Sequence, residues 1–188
     1  MSSSQDDADI FERLRERRVI FVRDPLDGAE ANRIIAELLH LENRDATAEI
    51  TLRINCAGAD LQAALAVYDT MQTIRPPVAT LCNGTAAGGA ALLLAAGVAG
   101  RRTALPSAQV VLQQPKGKLE GSSMDIDLQA RRLLRLGAQM NELLVRHTEQ
   151  PLERIERDTE RGLSLNAEEA RAYGLVDTIA GETSGPPR

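Results

Sequence analysis

The sequence predicts one α/β domain built from βαβ crossovers, and three observations carry that prediction. Short apolar or alternating segments are separated by amphipathic helical stretches along most of the chain. One stretch, Pro77-Val78-Ala79-Thr80-Leu81-Cys82, runs into a Gly/Ala-rich turn that becomes a helix apolar on nearly every side, through Gly97. The 188 residues are 43% hydrophobic, which suits a substantial core and excludes general disorder.

In chain order, each element follows from local chemistry. Residues 1–8 read as a disordered lead-in. Residues 9–17 form a short amphipathic helix capped by Asp9, with Ile10, Phe11 and Leu14 on one face. Val19-Ile20-Phe21-Val22 is a short buried strand, and Asp24-Pro25-Leu26-Asp27-Gly28 turns the chain. Residues 29–42 are helical, with Ile34, Ile35, Leu38, Leu39 and Leu41 as the apolar side. Residues 49–55 alternate with period two, so Ile50, Leu52 and Ile54 face one way. Cys56-Ala57-Gly58-Ala59 turns the chain, and Asp60 caps a helix carrying Leu61, Leu65, Tyr68 and Met71, which Arg75-Pro76-Pro77 ends.

The central strand, turn and helix come next, then a strand over residues 108–113. Residues 116–123 are polar and glycine-rich, hence a loop or a loosely held strand. A long helix over residues 125–150 turns Leu133, Leu136, Met140, Leu143 and Leu144 inward, and Pro151 starts a short helix. Asn166 caps a final helix through Tyr173, with Gly174 at its exit, and residues 175–179 form a last strand. The organisation is therefore a lead-in (1–8), a domain (9–180) and a flexible Gly/Pro tail (181–188).

Composition narrows the function classes. Aromatics are 2% of the chain and the net charge is -5 with interspersed signs. That leaves neither a basic stripe nor stacking platforms for nucleic acid. Cys56 and Cys82 make no disulfide framework, and neither has a partner at metal-ligand spacing. The acidic N-terminus lacks the apolar core of a signal peptide, and the longest apolar run, residues 86–99, is too short for a membrane span. A cytoplasmic setting without metal or cofactor is expected. Gly88-Gly89-Ala90 lacks the Lys that a phosphate-binding P-loop needs.

Several segments together resemble ClpP, the proteolytic subunit of the ATP-dependent Clp protease. They are Arg53-Ile54-Asn55, Val67-Tyr68-Asp69-Thr70-Met71-Gln72, Ala104-Leu105-Pro106, Gln114-Pro115, Met140-Asn141-Glu142-Leu143, Ile155-Glu156-Arg157-Asp158-Thr159-Glu160-Arg161 and Tyr173-Gly174-Leu175-Val176-Asp177. The resemblance implies a ClpP/crotonase-like fold of repeated β-β-α units with a protruding helix-plus-strand handle. It also implies a ring oligomer, a double heptameric ring of this chain or a mixed ring with an active ClpP.

The family is a Ser-His-Asp peptidase, and the resemblance places the triad on Gly88, Gln113 and Gly162. Glycine has no oxygen to attack a carbonyl, and Gln113 does not titrate, so it cannot act as a base. Gly162 cannot orient a base. The resemblance further implies a backbone oxyanion hole at Ala59 and Gly89 and a ring-ring contact at Glu160-Arg161. The positions matching the family's aromatic chaperone-docking pocket are Thr51, Arg53, Thr73 and Thr103, with Asn83 nearby. Polar walls remove the driving force for an apolar peptide tip, so docking of a Clp AAA+ chaperone is not expected. The segment matching the family's axial gate also reads as shortened.

The expected function is a catalytically silent ClpP-like subunit, similar in kind to the ClpR subunits of some Clp complexes, with a structural, regulatory or inhibitor-tolerance role. Two alternatives stay open. Gly84-x-x-x-Gly88-Gly89 before a helix resembles the oxyanion turn of crotonases, which would make the chain an acyl-CoA-binding enzyme using a backbone hole alone. A peptidase with another nucleophile is the other, and Cys56, in the turn beside the hole, is its candidate. Cys56 and Cys82 read as small buried apolar residues, and His40 and His147 as surface or packing residues.

Overall fold

The computed structural model describes residues 3–116 and 120–181. The expected flexible tail from residue 182 onward, the first two residues of the lead-in and residues 117–119 of the glycine-rich loop lie outside them.

The fold is α/β, with a mostly parallel seven-stranded sheet. Strands β1 (Val19–Arg23), β2 (Ile50–Cys56), β3 (Val78–Ala87), β4 (Arg102–Ala104) and β7 (Thr178–Ile179) lie side by side in that order, all parallel. β3 is ten residues long and serves two neighbours. Thr80–Cys82 pairs with β4, and Thr85–Ala87 pairs with β5 (Gln109–Leu112). β6 (Leu163–Asn166) then pairs antiparallel with β5.

Helices α2 (Gly28–Arg44), α3 (Leu61–Thr73) and α4 (Gly89–Ala95) follow β1, β2 and β3 and pack against one another. Their caps are local: the Asp27 carboxylate accepts from Glu30 N–H at 2.9 Å, and Asp60 accepts from Ala63 N–H at 3.0 Å. In β2, Ile50, Leu52 and Ile54 are wholly buried while Arg53 is exposed, as alternation requires. Every residue of α4 is buried, which explains why it is apolar on all sides. Helix α5 (Ser123–Thr148) starts with a capping box between Ser122 and Asp125 and buries only its C-terminal half, from Gly137 on. α6 (Leu152–Glu160) and α7 (Ala167–Tyr173) complete the domain.

The structure corrects several element boundaries. α1 spans Ser3–Glu16, so the chain is helical from Ser3 rather than disordered to residue 8. No Pro or Gly interrupts residues 3–16, so nothing local stops the helix. Residues 83–87 belong to β3, and the turn shrinks to Gly88. The register with β5 and the pairing of Cys56 with Ala86 hold those small residues extended. β4 and β6 are additional strands. β7 keeps only two residues of the expected five, because Gly174 exits α7 left-handed and Asp177 is drawn onto Arg102. Among the described residues, no helix is long and apolar enough to cross a membrane.

Candidate functional site

The site forms where β3 turns into α4. Gly88 has φ 56° and ψ -116°, a region that glycine enters without the steric cost any other residue bears. Its N–H donates to Val111 O at 2.9 Å, which locks the turn onto β5. A Cβ at Gly88 would meet Gln113 Cγ at 3.5 Å and Nε2 at 3.6 Å, ordinary contacts, so a side chain there would lie against Gln113. At Gly89 the space is taken: a Cβ would stand 2.6 Å from Ala64 Cβ. Thus α4 begins wedged against α3.

Strand register leads to Gln113 and Gly162. β5 and β6 pair from Gln109 with Asn166 to Leu112 with Leu163, so Gln113 and Gly162 are the residues that flank the end of the ladder. Beyond the strands, Gln114 N–H donates to Thr159 O and Gln114 Nε2 to Thr159 Oγ1, each at 3.1 Å, so the chains stay together there. Gly162 has φ 71°, and a Cβ on it would meet open space. Of the three inferred triad positions, Gly88 therefore lies against Gln113, while Gly162 follows the end of the β5–β6 ladder with open space beside it.

A second loop completes the site. The Asp24 carboxylate accepts from Ala57 N–H at 3.0 Å and Gly58 N–H at 2.7 Å. Leu26 N–H donates to Gly58 O, and Asp60 N–H donates to Leu26 O. Burial works against the Asp24 charge, but the two backbone N–H bonds outweigh it and hold the carboxyl below its usual range. Ala59 needs no positive φ, since Arg18 and Glu149 are the only non-glycine residues that have one among those described. Neither Ala59 N–H nor Gly89 N–H has an acceptor among the described residues.

These parts enclose a cavity of about 400 Å³, lined by residues 57–61, Gly88, Gly89, residues 113–116 and Met140. Among the described residues, the lining contains no Ser, Thr, Cys, Tyr or His. Its only acid, Asp60, is engaged as the cap of α3. Lys116 is its only cation and is exposed.

The other expected residues lie elsewhere. Cys56 is wholly buried, does not line the cavity, and its Sγ donates to Gly58 O at 3.5 Å. Burial, aided by the Asp24 carboxylate, pushes its thiol up to about 11, so it is an unreactive thiol near neutrality. Cys82 is wholly buried too, and burial raises its thiol. His40 is exposed on α2, while His147 Nε2 sits 3.0 Å from Tyr68 OH, away from the cavity. Burial first, then Arg102 and Arg146, lower the His147 pKa.

Arg161 Nη2 lies 3.0 Å from Asp158 Oδ1 within the chain, and Glu160 lines a cleft between α5 and α6. Thr51, Arg53 and Thr103 share the outward face of the sheet, whereas Thr73 closes α3, its hydroxyl donating to Asp69 O at 3.0 Å. Sequence reasoning missed Asp24, whose Asp-Pro signature reads only as a turn although its carboxylate serves a loop more than thirty residues away. It also missed Lys116 and Met140 as lining residues.

A family model for the Clp protease matches residues 2–183, so the chain belongs to the Clp protease family.

Proposed function

We propose that this member of the Clp protease family is a catalytically silent subunit of a Clp-type ring assembly, with a structural, regulatory or inhibitor-tolerance role. One observation carries the reading. Gly88 occupies a strand-to-helix turn of the kind that presents a nucleophile, yet the cavity around it has no Ser, Thr, Cys or His among its described lining residues, and its one acid, Asp60, is engaged as a helix cap. Ser, His and Asp hydrolysis needs all three groups in contact, and Gly88, Gln113 and Gly162 supply none of them. The unpaired N–H groups of Ala59 and Gly89 remain as an oxyanion hole with nothing to generate an oxyanion.

The ring-ring pair Glu160-Arg161 and the polar positions Thr51, Arg53, Thr73 and Thr103 belong to the same reading: assembly is kept and docking of an apolar chaperone tip is lost. Assembly is either with further copies of this chain or with an active ClpP. The test is a fluorogenic peptide assay on the purified chain, together with native mass spectrometry after co-expression with an active ClpP. The expected results are no turnover above background and rings that contain this chain. Turnover that disappears in Cys56→Ala would overturn the silent reading. So would turnover that survives it, because either result puts a working nucleophile in the chain.

A further inference from the structure

A second cavity, of about 660 Å³, lies at the opposite end of the sheet from the candidate site. Val78, the first residue of β3, helps line it, whereas Gly88 follows the last, so the strand separates the two by about 30 Å. Three segments enclose it: the exit of α3 through Arg75-Pro76-Pro77, the loop after α4 at residues 96–99, and the end of α5 with its cap, Glu149. Met71, Ile74 and Pro76 give it a buried apolar wall, while Val98, also in the lining, stays 41% exposed. Its volume is in the range usual for small-molecule sites.

Two of the charges in this lining are answered within the chain. Arg75 Nε donates to Glu42 Oε1 at 3.1 Å, and Arg102 holds the Asp177 carboxylate. Arg146 and Glu149 line the same cavity and are exposed, and neither side chain has an ion-pair or hydrogen-bond partner among the described residues. They stand three residues apart, but Glu149 leaves α5 in the left-handed region at φ 58°, so the usual pairing along a helix face is not made. His147 also lines the cavity, half-buried, with Nε2 3.0 Å from Tyr68 OH. Burial first, then the Arg102 and Arg146 charges, lower its pKa, so the field at that end of the cavity is positive.

We propose that this cavity binds a short apolar peptide with free termini: its carboxylate on Arg146, its ammonium on Glu149, and its side chains on Met71, Ile74 and Val98. The planar guanidinium is well suited to a carboxylate. A zwitterion answers both open charges at once. A simple anion would leave Glu149 facing it, and a simple cation would meet Arg146, so both are disfavoured. Apolar side chains gain by covering Val98 and the buried wall beside it. Binding here involves no hydrolysis and no residue of the Gly88 cavity, so it does not depend on the silent reading.

The test is calorimetric titration of the full chain with leucyl-leucine, its N-acetyl form, its C-terminal amide, and diglycine. The imidazole NMR signals report the place of binding, because the chain has only two histidines and His40 is exposed on α2. Leucyl-leucine is expected to shift the His147 signals and leave those of His40 in place. Acetylation and amidation are each expected to weaken binding about fivefold, the upper end for a solvent-exposed ion pair, and diglycine to bind more weakly still. Arg146→Gln, at an exposed position, removes the cost of amidation and keeps that of acetylation; Glu149→Gln does the reverse. Unmoved His147 signals, equal affinity for the capped and free dipeptides, tighter binding of a capped form, or costs that survive these substitutions would each overturn the proposal.

Discussion

Gly88 shows how much one residue can carry without a side chain. Its φ of 56° and ψ of -116° lie outside the regions that residues with a Cβ adopt at ease, so the turn is stable here partly because the residue is glycine. Gly88→Ser tests this alone. The Cβ meets nothing closer than 3.5 Å, so the cost is conformational rather than steric and is expected at about 1–3 kcal/mol. Urea unfolding of the variant and of the parent measures it. Unchanged stability would mean that the turn relaxes to another conformation once a Cβ is present. At this scale the motif reading placed Gly88, Gln113 and Gly162 in one chemistry, because short motifs keep their spacing. Asp24 was not legible, since its partners are set by tertiary folding and leave no local periodicity.

At the scale of elements, the arrangement of the site depends on registers rather than on side chains. Gly88 N–H on Val111 O sets position 88 beside β5, and the β5–β6 ladder ends next to positions 113 and 162. The variant carrying Gly88→Ser, Gln113→His and Gly162→Asp together is therefore expected to gain fluorogenic-peptide turnover, while Gly88→Ser alone gains none. Aspartate suits position 162 better than most residues, because it tolerates the left-handed region. A triple variant that folds and stays inert would show that the register does not bring the three groups within hydrogen-bond reach.

The long elements were legible from the sequence for physical reasons. α2 and β2 announce themselves through 3.6-residue and two-residue periods, and Asp60 and Asn166 mark helix starts, whereas Asp27, read as part of a turn, caps α2. β4 was not, because three residues beginning with an arginine show no period. β6 follows a left-handed glycine, and only its pairing with β5 makes it a strand. The extension of β3 through Asn83-Gly84-Thr85 was masked by turn-like composition, which the neighbouring strands override.

For the whole molecule, acid stability should depend on a tie between distant parts of the chain. Arg102 Nε and Nη2 bind the Asp177 carboxylate, while Nη1 donates to the carbonyls of Ala95, His147 and Gly174. Burial opposes the Asp177 charge, but the Arg102 side chain and backbone outweigh it and hold its pKa below the usual value. A carboxyl whose folded pKa is depressed adds stability that is present at neutral pH and lost as pH falls through that folded value. Asp177→Asn should therefore destabilise the protein at pH 7, and the difference from the parent should shrink as pH falls below about 4. Urea titrations across that range check it, and a difference independent of pH would assign the effect to packing.

The same tie also sets an order of events in time. Asp177 follows Arg102 by 75 residues, and β7 is the last strand to join β4. At a synthesis rate of ~5–20 residues per second, roughly 4–15 seconds pass between the making of the arginine and the making of its carboxylate. Through that interval β4 has an open edge, and of the carbonyls that Arg102 later binds only that of Ala95 precedes it in the chain. The speed of the ribosome thus fixes how long the unfinished sheet stays exposed to other chains.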